Sequence, residues 1–268
     1  MAKRIFAVLL ALLTVLSMTG CKEEEEPVLQ RETTEATTEA TEAPTTEPPT
    51  EPPTTEAPTE APTEPPLVLH SGLREDGSFN ENTLFIGDSL TFQMLYGYMR
   101  PRGYLGDAKY IAICGSRTTA FFDGTQVKCR AENTLASEEF NGLLFSEAVA
   151  SLGEGAEAIY IMWGTNFNRD GSAQDYIEIV DYILENCPNA TVHLQTVPHA
   201  HAAPYEIING RIREAWEHYQ EEGEQRVQLL DTYTGIGVHV ASDGIHLTDG
   251  GKAEWYKTLV ANAENLEE

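Results

Sequence analysis

A serine hydroxyl attacks an ester carbonyl only when a base takes its proton and a third group holds that base in the right tautomer. This sequence holds the residue types for such a relay. Ser89 stands in "TLFIGDSLTF" (83–92), where an apolar run gives way to a Gly-Asp-Ser turn. His246 stands in "ASDGIHLTDGG" (241–251), with Asp243 three residues before it across a glycine. In a loop, this spacing lets the Asp243 carboxylate reach the imidazole Nδ1 while Nε2 faces outward as a base. Each stretch also has a plainer use. Ser and Asp are the commonest helix N-caps, so Ser89 fits a cap as well as a nucleophile. The Asp-Gly at 243–244 fits a turn, and Thr248/Asp249 fit a cap for a last helix.

Such chemistry also needs preorganised donors for the oxyanion that develops on the substrate. The backbone N–H of Ser89, the N–H of Gly115 in "CGSRTTAFF" (114–122) and the side-chain amide of Asn166 in "WGTNFN" (163–168) are the candidates. Gly115 can turn tightly and admit a ligand close to the backbone. It equally fits an ordinary turn ending a strand.

The elements that must position these residues alternate. "TLFIG" (83–87), "KYIAIC" (109–114), "AIYIMW" (158–163), "TVHLQTV" (191–197) and "RVQLLD" (226–231) read as five strands, short and nearly continuously apolar, as in a sheet buried on both faces. Helical patterns cover about 89–99, 138–151, 174–186, 204–222 and 250–264. In the third of them, Tyr176, Ile179, Val180, Ile183 and Leu184 recur at helical spacing. The alternation predicts a three-layer α/β/α fold with a flavodoxin-like parallel sheet of strand order 2-1-3-4-5. In such sheets sites lie beyond the carboxyl ends of the strands, and Ser89, Gly115 and Asn166 each fall just past one.

The four blocks "GDSL" (87–90), a glycine past the second strand (Gly115), "GTN" (164–166) and "DGIH" (243–246) resemble, in type and order, those of the GDSL or SGNH hydrolase superfamily. The resemblance spans 87–246. It implies a flavodoxin-like fold and an acyl-enzyme mechanism without metal or other cofactor. It also implies Ser89 as nucleophile, His246 as base and Asp243 as its orienter, with the N–H groups of Ser89 and Gly115 and the Asn166 amide as oxyanion hole. Two departures stand out. Phe167 replaces the acid that commonly ends the third block. The second block lacks the Asn and second Gly common in the family, so the N–H of Ser116 competes with that of Gly115 for the oxyanion role.

The rest of the chain sets a location. Lys3 and Arg4 precede a 14-residue uncharged apolar run, Ile5–Met18. That is the length of a signal-peptide core and shorter than the roughly 20 residues needed to span a bilayer. "LSMTGC" (16–21) resembles the lipobox of bacterial lipoproteins, which implies cleavage before Cys21 and lipidation of its thiol. The expected product is a membrane-anchored protein facing the exterior at a bacterial surface. Residues 22–66 are mostly Thr, Glu, Pro and Ala without an aromatic, too poor in apolar surface to fold. As extended polyproline they would form a stalk of about 140 Å. Domains are therefore expected at 1–20 (signal), 21–66 (linker) and 67–268 (catalytic).

Of the net charge of −26, residues 67–268 hold 30 acids against 13 Lys and Arg. A domain this acidic argues against nucleic acid or anionic lipid as partner; neutral glycans or small esters fit. Cys114, Cys129 and Cys187 remain beside Cys21, and Cys114–Cys129 is the pair that an oxidising exterior could close. No Cys-x-x-Cys spacing supports a metal. His199 and His201, with His193 nearby, read as site rim or surface rather than metal ligands. Trp163 and Phe167 flank the Asn166 loop as pocket or core residues, and Arg117 is either a solvated loop cation or a contact for an anionic substrate. The connection 116–137 is long enough for a lid or binding loop. The expected activity is hydrolysis of small acyl esters, acetyl foremost, on carbohydrate or cell-envelope glycans. O-acyl transfer by the same relay and non-catalytic glycan binding are the alternatives.

Overall fold

The computed structural model describes residues 67–166, 171–198, 205–236 and 239–267. All lie in the unit Thr63–Glu268, one of two into which the chain divides. Cys21, the linker, Phe167, His199 and His201 fall outside the described residues.

The sheet has six strands: β1 (Thr83–Gly87), β2 (Lys109–Ile113), β3 (Thr134–Ala136), β4 (Ala158–Met162), β5 (Thr191–Gln195) and β6 (Val227–Leu230). Their spatial order is β3-β2-β1-β4-β5-β6. The five parallel strands stand in the expected 2-1-3-4-5 order. The sixth corrects the expectation of five: β3 pairs antiparallel with β2, Ala112 opposite Leu135. Three residues are too few to show a period of two, and a single edge strand needs little apolar sequence.

β1, β4 and β5 are buried along their whole lengths, because helices cover both faces. The helices are α1 (Ser89–Gln93), α2 (Phe145–Ala150), α3 (Gln174–Asn186), α4 (Tyr205–Glu222), α5 (Tyr233–Ile236) and α6 (Asp249–Glu267). The crossover from β1 to β2 runs in the opposite direction along the sheet from those joining β4, β5 and β6. Right-handed crossovers therefore put α1 on one face and α3 and α4 on the other. α6 packs with α1's continuation, and α2 with α3. On the α6 face, Phe85, Tyr160 and His193 lie side by side on three adjacent strands, their rings stacked at 5.0 and 4.3 Å.

Two expected helices are broken. Residues 89–99 do not form one α-helix: α1 ends at Gln93, a π-helical segment follows over Met94–Met99, and Arg100–Arg102 form a 3₁₀ turn. The buried residues here are Leu90, Thr91, Met94, Leu95, Tyr98 and Met99, pairs that repeat every four residues. A 3.6-residue turn would rotate such pairs out of the core; the wider i→i+5 turn keeps them facing it. The pattern expected over 138–151 gives only a 3₁₀ turn at Glu138–Phe140 and α2 from Phe145. Between them the backbone pairs with the preceding loop instead. Gly142 N–H donates to Val127 O (2.8 Å), Val127 N–H to Leu143 O (2.9 Å) and Phe145 N–H to Thr125 O (3.0 Å).

Candidate active site

β1 ends at Gly87 opposite Ala112 of β2 and Met162 of β4. Three neighbouring strands thus finish nearly flush, and the residues just beyond them share one edge of the sheet. Gly87 fits because the backbones crowd there: a Cβ would stand 2.3 Å from Met162 O. Asp88, not Ser89, caps the helix that follows. Its side chain accepts from Leu90 N–H at 3.0 Å, which leaves Ser89 as the first helical residue with its hydroxyl uncommitted to capping.

The base arrives from the far end of the chain. Residues 240–247 close a short hairpin through a bridge between Val240 and Leu247 and a bond from Ala241 N–H to His246 O at 2.7 Å. Within it, Asp243 Oδ1 accepts from the N–H groups of Ile245 and His246, both at 2.9 Å, while Oδ2 meets His246 Nδ1 at 2.7 Å. These bonds, the Ile245 N–H first and then the imidazole, hold the Asp243 carboxyl well below the usual carboxylate range. An ionised Asp243 can only accept, so Nδ1 carries the proton and Nε2 presents a lone pair. That lone pair meets Ser89 Oγ at 3.2 Å. Ser89, His246 and Asp243, 157 and 154 residues apart in pairs with the serine, thus form a continuous chain of polar contacts.

The three oxyanion candidates border the same edge. Gly115 has φ +80, a left-handed conformation, and a Cβ there would meet no atom within 4 Å. Among the described residues, the N–H groups of Ser89 and Gly115 have no acceptor, whereas Ser116 N–H donates to Ile113 O at 3.1 Å. Of the two glycine-loop donors weighed from the sequence, Gly115 is therefore the open one. Asn166 Nδ2 donates to Ser116 O at 3.1 Å, which fixes its amide against that loop and leaves its second N–H for other use.

The cap role expected of Ser89 falls to Asp88, and the structure gives Asp88 a larger part as well. Its carboxylate is fully buried and accepts from Gly164 N–H (3.3 Å), Thr165 N–H (3.0 Å) and the Thr165 hydroxyl. Burial pushes the Asp88 carboxyl up, against the pull of these bonds. One side chain thereby joins the serine turn to the Asn166 loop. Trp163 is core rather than pocket: it is buried, packs 5.0 Å from Phe145 and donates from Nε1 to Ser116 Oγ at 3.0 Å. Tyr176 on α3 donates to Trp163 O at 2.8 Å. The serine, glycine and asparagine loops are thus laced to one another by side chains.

His193 is neither rim nor surface. It is buried on β5, contacts His70 O through Nε2 at 2.9 Å and accepts at Nδ1 from Asn262 at 3.3 Å. Cys114, Cys129 and Cys187 are all unpaired. The long connection after β2 carries a 3₁₀ turn (Thr118–Phe121) and β3, and Arg117 and Thr118 at its start line a cleft shared with Asn166.

Neither a scan against family models nor a search of curated proteins finds a match for this sequence. Solved structures do match. An active-site mutant of a family two carbohydrate esterase from Clostridium thermocellum superposes with TM-score 0.50 at 16% identity, over 68% of this chain and 63% of that one. A family 3 carbohydrate esterase from Talaromyces cellulolyticus matches at TM-score 0.48 and 13% identity, over 69% and 96%. The C-terminal catalytic domain of a Streptococcus pneumoniae peptidoglycan O-acetyltransferase matches at TM-score 0.42 and 15% identity, over 68% and 92%. At these identities the likeness is one of fold. The chain shares the α/β fold of that Clostridium thermocellum carbohydrate esterase, with its mostly parallel sheet between helical layers.

Proposed function

We propose that the folded domain is a serine esterase that removes small acyl groups, acetyl foremost, from carbohydrate esters. The observation that carries this reading is the contact chain Asp243 Oδ2–His246 Nδ1 (2.7 Å) and His246 Nε2–Ser89 Oγ (3.2 Å), beside N–H groups of Ser89 and Gly115 that have no acceptor among the described residues. Its chemistry follows from the protonation states. As Ser89 Oγ bonds to the acyl carbon, its proton passes to His246 Nε2, and Asp243 stabilises the imidazolium. The carbonyl oxygen gains the negative charge and meets the N–H groups of Ser89 and Gly115 and the Asn166 amide. Collapse breaks the bond to the sugar oxygen, which leaves with the proton from His246. Water then repeats the sequence on the acyl-enzyme and releases the acid. The N-terminus of α1 adds partial positive charge beside the developing anion.

The glycan part of the proposal draws support from the carbohydrate esterase that shares the fold. A panel of p-nitrophenyl esters and acetylated oligosaccharides tests it. Acetate esters are expected to turn over fastest, with rates falling as the acyl chain lengthens and free acid as the product. A preference for long acyl chains would contradict the reading. Acylated sugar as the main product, in place of free acid, would make the enzyme a transferase, in which a sugar hydroxyl replaces water at the second step.

We also propose that Cys21 carries a lipid anchor that holds the domain outside the cell on the 22–66 stalk, from "LSMTGC" and the composition that follows it. Labelling of growing cells with an alkynyl fatty acid is expected to mark the wild type and not Cys21→Ala. Equal labelling of both would remove the anchor from the account.

A further inference from the structure

The helical stretch that begins at Ser89 carries the nucleophile on its outer side, and two aromatic rings continue that side away from it. Leu90, Thr91, Met94, Leu95, Tyr98 and Met99 are buried, so Ser89, Phe92, Gln93, Tyr96 and Gly97 share the outer face. Phe92 stands one turn beyond Ser89, about 4.5 Å along the axis. Tyr96 follows a turn later and is 58% exposed, its ring 5.9 Å from that of Phe92 at an angle of 40°. A half-buried ring and an exposed one therefore lead out of the site in line with the reactive hydroxyl.

The surroundings of these rings are neutral. Residues 89–99 contain no charged side chain, in a domain with 30 acids against 13 Lys and Arg. Lys252 Nζ stands beside Gly97, where a Cβ would lie 3.7 Å from it, but it is held by Asp249 at 3.3 Å. The Gln93 amide makes no capping bond to the π-helical segment that it precedes, and it stays at the surface beside the rings. The rings also lie on a particular side of the ester. α6 follows the His246 hairpin directly and packs against Met94–Met99, with the rings of Tyr98 and Tyr256 6.3 Å apart. His246 returns its proton to the departing sugar oxygen, so the alcohol part of the ester lies towards His246. The oxyanion donors Gly115 and Asn166 come instead from the loops after β2 and β4.

We infer that Phe92 and Tyr96 form a stacking platform for a neutral sugar ring of the substrate glycan, next to the sugar that bears the acyl group. A pyranose carries hydroxyls around its rim and C–H groups on its faces. One face buries apolar surface against an aromatic ring, while Gln93 and water meet the rim. The substrate class is then an acylated neutral oligosaccharide rather than an isolated small ester. This deepens the esterase reading and rests on it for the position of the acyl group, but glycan binding can be read without turnover.

Two measurements on the full chain test it. One is kcat/KM on acetylated xylotetraose divided by kcat/KM on p-nitrophenyl acetate; the other is calorimetric titration with xylotetraose, cellotetraose and chitotetraose. Tyr96→Ala is expected to lower the ratio about tenfold, mainly through KM, and to weaken binding of the preferred tetrasaccharide by a similar factor. Tyr96→Phe should keep both, since it keeps the ring. An unchanged ratio in Tyr96→Ala, or a wild-type chain that binds none of the three tetrasaccharides, would overturn the inference. So would a Tyr96→Phe variant as impaired as Tyr96→Ala, or a Tyr96→Ala effect that appears as altered acyl-length preference among nitrophenyl esters. Tighter binding of tetragalacturonate than of all three would overturn the assignment to a neutral ring. A chain that binds a tetrasaccharide through Tyr96 but hydrolyses no acetyl ester would leave the platform standing and bring down the esterase reading alone.

Discussion

Asp243 has no role if it titrates where the reaction runs. Two backbone N–H bonds and the imidazole keep it ionised far into acid, so the His246 tautomer is fixed across the working range. The sign is that of a depressed carboxylate. The Asp243–His246 contact is complete above the unfolded carboxylate pKa of about 3.9 and is lost only as pH falls through the lower folded value. The acid limb of kcat/KM between about pH 4 and 8 should therefore have unit slope, with no second ionisation from Asp243. Asp243→Asn should lower kcat/KM by roughly 10³–10⁴-fold, because an amide can orient the imidazole in the wrong tautomer. A slope of two, or a loss under tenfold, would remove Asp243 from the relay. The contact chain through Ser89, His246 and Asp243 was legible because each motif is local: a turn after a strand, and a carboxylate three residues from a histidine. The wider part played by Asp88 was not, since capping explains only its bond to Leu90, and its partners Gly164 and Thr165 are 76 and 77 residues away.

At the scale of elements, the site is a set of loops held in register by the sheet and by side chains that cross between them. Asp88 is the cross-link between the loop after β1 and the loop after β4. Asp88→Ala would orphan the N–H groups of Leu90, Gly164 and Thr165, which the buried carboxylate now satisfies. Each buried orphan costs roughly 1–3 kcal/mol, so a loss of about 3 kcal/mol or more is expected in urea unfolding, together with loss of esterase activity. A variant of wild-type stability would show that the loops are held by other means. The helix after Ser89 illustrates what a sequence pattern conceals. Its apolar residues suggested eleven residues of α-helix, but their four-residue repeat requires the π-helical turn. β3 was hidden for a different reason, because an edge strand of three residues takes its structure from β2 rather than from its own periodicity.

Over the whole molecule, the parallel five-strand order was readable because buried strands alternate regularly with amphipathic helices. The burial of His193 was not, because a buried imidazole needs polar partners, and those it finds, His70 O and Asn262, lie 123 and 69 residues away in the chain. Burial pushes the His193 imidazole down to about 4 from 6.5. The folded state then resists a proton that the unfolded chain accepts, so the stability contributed is complete above about pH 6.5 and declines as pH falls towards 4. That difference amounts to about 3 kcal/mol. Thermal melts at about pH 7 and 4.5 should show a smaller drop for His193→Gln than for the wild type; equal drops would mean that the imidazole is not buried in neutral form. The central claim is that these scales converge on one reactive hydroxyl, and active-site labelling measures that directly. The full chain is incubated with a fluorophosphonate, digested and read by mass spectrometry. The account predicts one adduct, on Ser89, formed by the folded protein and suppressed by about 100-fold or more in His246→Gln. No adduct on Ser89 in the folded chain, or labelling undiminished without His246, would contradict it.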